Sequence, residues 1–217
     1  MGARQVAGPL RDWDLEDLPV GIHPDALRDD PRLRRIAKHV RGIMAALELD
    51  LEDPNLVGTD ERVARMYLEL FAGLQEGAEP SVTTFPNDQG YNQMVVVKDI
   101  RFYSMCAHHF LPFFGRAHVG YVPNGQVVGL SKLARIVEFY ARRPQIQERM
   151  TEQVIQFLEK KLSPLGSIVV VEATHLCMEM RGIEKPGATT TTSAIRGAFL
   201  DRPARAEFFE LIRRSPD

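Results

Sequence analysis

RAHVGYVPNGQVVGLSKLARIVEFY, residues 116–140, is the stretch whose reading decides the fold, because its hydrophobic period changes within it. Arg116 to Val122 and Gln126 to Leu130 are short β-type runs, and Pro123-Asn124-Gly125 between them reads as a hairpin turn. From Ser131, read as an N-cap, the apolar positions Leu133, Ile136, Val137 and Tyr140 fall on one face of a helix. Toward the C-terminus, Pro144 breaks that helix before a second helical run from Gln145 to Leu162. Ile168 to Cys177 and Thr189 to Phe199 are again strand-like, and Pro203 to Arg214 reads as a closing helix.

Toward the N-terminus, Met94 to Tyr103 is a further strand, reached through a loop from Gly77 to Gly90. Before it stand two amphipathic helices. One runs from Arg32 to Leu49 on Leu33, Ile36, Val40, Ile43, Met44 and Leu47; the other follows Thr59, read as its N-cap, on Val63, Met66, Tyr67, Leu70 and Phe71. The first thirty residues alternate polar residues with turn formers and show no period. The reading is therefore an α+β protein, an antiparallel sheet covered by helices and preceded by a helical segment. Its expected divisions are a flexible arm (1–31), a helical segment (32–90) and a sheet-bearing catalytic domain (91–217).

Composition narrows the function. The 217 residues carry 27 Lys plus Arg against 29 Asp plus Glu, a formal net charge of −2, so no global positive field marks a nucleic-acid binder and any anion site must be local. No apolar run reaches the roughly 18 to 20 residues of a membrane span. Met1 to Pro19 lacks the apolar core of a secretory signal, so a cytoplasmic protein is expected. With only Cys106 and Cys177, a disulfide framework is excluded.

Each cysteine has a histidine close by. Cys106-Ala107-His108-His109 holds a Cys-x-x-His pair where a strand should end; taken alone it reads equally as a buried thiol beside two surface imidazoles. The second cluster, Thr174-His175-Leu176-Cys177, raises the weight of a metal, since on a strand His175 and Cys177 would project to one face. If the strands adjoin, Cys106, His109 and Cys177 supply three ligands that suit zinc and leave a position open, the arrangement of a catalytic site. His108 and His175 then remain for proton transfer, unless one of them is a fourth ligand and the site is structural. Ser131, Lys132 and Arg135 at a helix start suit a phosphate. Arg62, Arg65 and Arg181 could add to that site, although each singly reads as a solvated or ion-paired surface residue. Glu148, beside Gln147, could accept two hydrogen bonds from a guanidine-like edge, or be an ordinary helix-surface acid.

Four motifs stand together in order: Cys106 to His109, Gly129-Leu-Ser-Lys-Leu-Ala-Arg-Ile-Val137, Arg143-Pro-Gln-Ile-Gln-Glu-Arg149 and Glu172 to Cys177. From about Arg32 to Arg214 the chain closely resembles the GTP cyclohydrolase I family. The resemblance implies zinc held by Cys106, His109 and Cys177, and hydrolysis at C8 of the guanine ring of GTP. C8 leaves as formate, and the ribose rearranges and recloses to give 7,8-dihydroneopterin triphosphate. It implies that His108 and His175 transfer protons, that Ser131 lies near the ribose, and that Glu148, with Gln147 beside it, holds the guanine edge. Lys132, Arg135 and Arg181 match triphosphate positions, with Arg62 and Arg65 as lesser contributors. The implied fold is the tunnelling fold, in which small sheets of several subunits close a shared barrel, usually in a homodecamer with sites between subunits. One departure stands out: where the family usually has Glu, this chain has Ala107. A related tunnelling-fold enzyme acting on another purine or a pterin triphosphate, and a zinc-stabilised assembly protein without turnover, are the alternative readings.

Overall fold

The computed structural model describes residues 30–213. The expected arm lies outside them except for Asp30 and Pro31, which open the first helix. In α1 (Pro31–Ala46), Asp30 caps the N-terminus by accepting from the Arg32 N–H at 2.8 Å, and Pro31 occupies a first-turn position that needs no N–H partner. Gly58, at φ 75°, precedes α2 (Thr59–Leu70), so Thr59 is the first helical residue rather than the cap. The two helices form a small core of their own, Leu33 and Ala37 against Ala64 and Leu68.

The strands are β1 (Thr84–Pro86), β2 (Val95–Cys106), β3 (Pro112–Val122), β4 (Gln126–Val128), β5 (Pro144–Gln145), β6 (Gly166–His175) and β7 (Thr189–Gly197). The remaining helices are α3 (Leu130–Ala141), α4 (Gln147–Leu162), the short α5 (Leu176–Glu179) and α6 (Arg202–Arg213). A five-stranded sheet runs in the order β5-β2-β3-β6-β7, antiparallel throughout except for the short parallel pairing of β5 on β2. Its inner face carries Phe102, Phe113, Ala117, Val119, Val169 and Val171, on which Leu133, Ile136 and Val137 of α3 and Val154, Ile155 and Leu158 of α4 pack. Each such large apolar side chain, fully buried, contributes roughly 1.5–3 kcal/mol. Among the described residues, the opposite face is covered only at one end, where Ile168 and Val170 meet Phe199 and Phe208. Covering on both sides explains why β6 is a continuous aliphatic run there.

The structure departs from the expected elements at several places. Pro123-Asn124-Gly125 does turn the chain, with Gly125 at φ 72°, but β4 pairs with β1 in a separate two-stranded sheet instead of with β3. Both edges of β3 are already taken, by β2 and β6, so no hairpin partner can be added. The segment 32–90 accordingly contains a strand as well as helices. Gly129, not Ser131, precedes α3, and Ser131 lies exposed inside its first turn with no capping bond. Gln145 belongs to β5, paired with Cys106, so the following helix begins at Gln147. Cys177 sits on α5 rather than on the preceding strand, so strand alternation with His175 does not set its direction.

Topology builds one end of the sheet into a site. Strands β2 and β6 flank the antiparallel β3 and therefore run the same way, so their C-terminal ends, Cys106 and His175, arrive at one sheet end beside the start of β3. Among the described residues, no helix is long and apolar enough to cross a membrane.

Candidate active site

At that sheet end the backbone of β2 closes a tight turn. Phe110 N–H donates to Cys106 O at 2.9 Å, Cys106 N–H to Leu111 O at 2.8 Å, and Ala107 N–H to Gln145 O at 2.8 Å. These bonds tie the His108-His109 turn to both β3 and β5. The ligand atoms of Cys106, His109 and Cys177 all lie within 4.8 Å of one another. The two sulfurs are 3.9 Å apart, and His109 Nδ1 is 3.9 Å from the Cys106 sulfur. Two thiolates on one tetrahedral zinc, each at about 2.3 Å, would be separated by about 3.8 Å, whereas a disulfide requires about 2.05 Å. The triangle therefore has the dimensions of a single metal centre, and both cysteines are free thiols. His108 Nδ1 lies 3.8 Å from the Cys106 sulfur and stands outside the triangle. Burial first, and then the neighbouring Cys106 sulfur, push the Cys177 thiol up, while the Arg181 guanidinium pulls the other way. A divalent cation between the sulfurs would reverse that balance, since metal ligation deprotonates a thiol outright.

Beside the triangle, His175 is fixed from two directions. Its ring lies flat on Phe113, centroids 4.6 Å apart at 1°. Its Nε2 is 2.8 Å from Gln147 Oε1. Gln147 is 1% exposed, and its amide nitrogen donates to Val171 O at 3.0 Å, Thr190 O at 2.9 Å and Thr192 Oγ1 at 3.2 Å. Those acceptors fix which end of the amide is nitrogen, so Oε1 faces the imidazole and Nε2 of His175 must be the donor. The neutral ring thus has its proton on Nε2 and leaves Nδ1 to accept. Thr151 completes the network, donating to Gln147 O at 2.8 Å and lying 2.7 Å from Thr192 Oγ1. Burial lowers the pKa of His175, opposed by the nearby Glu148 carboxylate.

The single chain thus brings together Cys106, His108, His109, Cys177, His175, Gln147, Glu148 and Arg181. Gln147, expected beside a substrate, is instead buried behind His175. Ser131, Lys132 and Arg135 share the first turns of α3. Arg62 holds the loop before α2, donating to Val57 O at 3.0 Å, Asn55 O at 3.3 Å and Thr59 Oγ1 at 2.6 Å. Arg65 pairs with Glu61 at 3.7 Å. Sequence reasoning missed Phe113, Thr151 and Thr192, which are ordinary core and strand residues until the fold sets them around His175 and Gln147.

Comparison with known proteins places this site in a family. The profile described as GTP cyclohydrolase I matches residues 36–213. The chain belongs to the GTP cyclohydrolase I family. It is 51% identical over 204 residues to GTP cyclohydrolase 1 of Thermobifida fusca, covering 93% of this chain and 96% of that one. GTP cyclohydrolase 1 of Desulforamulus reducens is 54% identical over 189 residues, covering 84% and 98%. That of Halalkalibacterium halodurans is 55% identical over 179 residues, covering 80% and 94%. The α+β architecture, with its curled antiparallel sheet and leading helices, is the tunnelling fold expected of the GTP cyclohydrolase I family.

Proposed function

We propose that the protein is a zinc-dependent GTP cyclohydrolase I, converting GTP and water to 7,8-dihydroneopterin triphosphate and formate. The observation that carries this is the Cys106-His109-Cys177 triangle, of single-ion dimensions, set beside an imidazole whose tautomer is determined by Gln147. Zinc bound there supplies Lewis acidity and a water of lowered pKa, near 7, for hydrolysis. Hydrolysing both C–N bonds of C8 consumes two waters and releases formate; closing the new ring returns one.

The chain's own residues do the rest. His175 accepts and returns a proton at Nδ1, and its burial keeps the ring neutral near pH 7, the state a base requires. Exposed His108 serves as the second proton carrier. The Glu148 carboxylate accepts from guanine N1–H and the N2 amine, a charge-assisted pair. Lys132, Arg135 and Arg181 hold the triphosphate, which provides binding energy remote from the reacting carbon, and Ser131 lies near the ribose. Arg62 and Arg65, held in local contacts, stand outside this set.

Assembly of several copies, a homodecamer by the family resemblance, fits the sheet. Among the described residues, β7 pairs only with β6, and β2 on the N-terminal side of Met105 pairs only with β3, so two edges are open. A neighbouring subunit would bring the α3 cations to the zinc triangle of the next. A cytoplasmic location accords with a soluble nucleotide as substrate. The deciding experiment measures formate released from GTP by the purified protein, with chelator and with zinc added back. Zinc-dependent release is expected. A folded, zinc-loaded protein that releases none overturns the proposal.

A further inference from the structure

Phe110, the residue after His109, has φ 52°, the left-handed region that bulky side chains avoid. Its N–H closes a five-residue turn onto Cys106 O, the position of a helix-ending turn normally filled by glycine. Phe110 nevertheless occupies it, with its side chain 48% exposed, so core burial does not explain the residue. Its ring contacts do. The centroid lies 5.5 Å from that of Phe71 and 6.4 Å from that of Tyr67, both tilted by nearly 60°, and those two rings stack on each other at 5.8 Å. All three separations fall in the range of attractive aromatic pairs.

The partner rings are themselves anchored. Just beyond α2, Gly73 N–H donates to Arg142 O at 2.9 Å, and Arg142 Nη1 reaches back to Glu69 O at 3.2 Å. The approach is so close that a Cβ on Gly73 would sit 2.4 Å from Phe139 O, so only glycine permits it. Arg142 leads within two residues into β5, whose Pro144 and Gln145 pair with Met105 and Cys106. A closed circuit results: α2, the Gly73–Arg142 junction, β5, Cys106, the His108-His109 turn, and Phe110 back onto α2.

We propose that Phe110, gripped by Phe71 and Tyr67, is a positioning residue that holds the His109 turn in its metal-binding shape and couples the helical hairpin to metal affinity. This rests on the reading of the triangle as a zinc site. Phe110 is not one of the three ligands of the triangle; it sets the direction in which the backbone leaves His109. Glycine at position 110 would relieve the backbone and lose the grip together, whereas Phe71→Ala loses the grip and leaves the backbone of Phe110 as it is, so the pair of variants separates the two contributions.

The test is zinc affinity of the full chain, by competition with a chromophoric chelator, for the parent, Phe110→Gly, Phe71→Ala and Phe110→Tyr, together with the visible spectrum of the cobalt-substituted forms. Phe110→Gly and Phe71→Ala are expected to bind zinc about tenfold more weakly, as loss of an outer support of a ligand does. Their cobalt bands should shift, and Phe110→Tyr, which keeps the ring, should match the parent. Phe71→Ala alters only the other element and decides the matter if Phe110→Gly fails to fold. Parent-like affinity and spectra in folded Phe71→Ala overturn the proposal. A parent that binds no zinc refutes the metal reading itself, a different result from a parent that binds it beside unaffected variants.

Discussion

Replacing Gln147 by Met tests the central geometry, because the side chain keeps its length and volume while losing every polar contact. Three bonds of 2.8–3.0 Å disappear, those to His175 Nε2, Val171 O and Thr190 O. At about 1 kcal/mol net for each neutral hydrogen bond, the loss is about 3 kcal/mol, and more if a buried partner finds no water. The catalytic effect should exceed what stability explains, because His175 loses the acceptor that fixes its tautomer. General acid–base catalysis contributes about 10²–10⁴-fold, so a misdirected imidazole should lower kcat at least tenfold with KM little changed. Gln147→Glu is the informative partner: it keeps an acceptor for His175 but sets a carboxylate against two carbonyl oxygens, so it should be less stable than the Met variant yet retain more of its kcat. Urea midpoints at fixed protein concentration and steady-state formate release give the two numbers. A Gln147→Met protein with normal kcat refutes the orientation argument; raised KM at normal kcat would make Gln147 a substrate contact instead.

Three further outcomes are expected. His118, buried between the Asp99 N–H at 3.2 Å on Nδ1 and the Glu172 carboxylate at 3.8 Å on Nε2, has its pKa lowered below 6.5 chiefly by burial, with Arg116 adding and Asp99 and Glu172 opposing. Below pH 6.5 the unfolded chain therefore binds more protons, and stability is lost as pH falls, until the folded value is passed; His118→Gln should flatten that slope in urea midpoints, and parallel slopes would refute it. Gly73→Ala puts a Cβ 2.4 Å and 2.7 Å from two backbone carbonyls and should cost about 1–3 kcal/mol in the same assay, whereas a neutral result would mean that the α2 junction yields. Ala107, where the family usually has Glu, should not prevent ring opening; GTP incubated with zinc-loaded protein should yield formate, and Ala107→Glu should raise the rate without changing zinc content. Absence of both formate and a formyl intermediate in the parent would refute this expectation and, with it, the cyclohydrolase reading.

Much of this was legible because local physics governs it. The apolar stripes of α1, α2 and α3, the helical run of α4 after Pro144 and the β-type runs of β2, β3, β6 and β7 were located to within a few residues by periodicity, residue type and turn signals. The misreadings share one cause. Pro123-Asn124-Gly125 is sound turn chemistry, yet which strand β4 meets depends on β3 already being paired on both sides. Gln145 continues a helical pattern until its pairing with Cys106 claims it. Gln147 looks like a solvent-facing neighbour of Glu148, and only the packing of α4 against β6 and β7 turns it inward to His175.

By itself, the sequence determined the elements, the donor types and the family: Cys and His at metal-ligand spacing, a cationic helix start, and an acid, Glu148, at the start of a helix. Tertiary structure decided what those residues do to one another. Cys106 and Cys177 stand 71 positions apart, and they meet because β2 and β6 run the same way on either side of β3, bringing two strand ends to one place. Residue types and periods are properties of neighbours along the chain, whereas the 3.9 Å between two sulfurs, the tautomer of His175 and the grip on Phe110 are properties of neighbours in space, set by strand pairing and packing that no local pattern encodes.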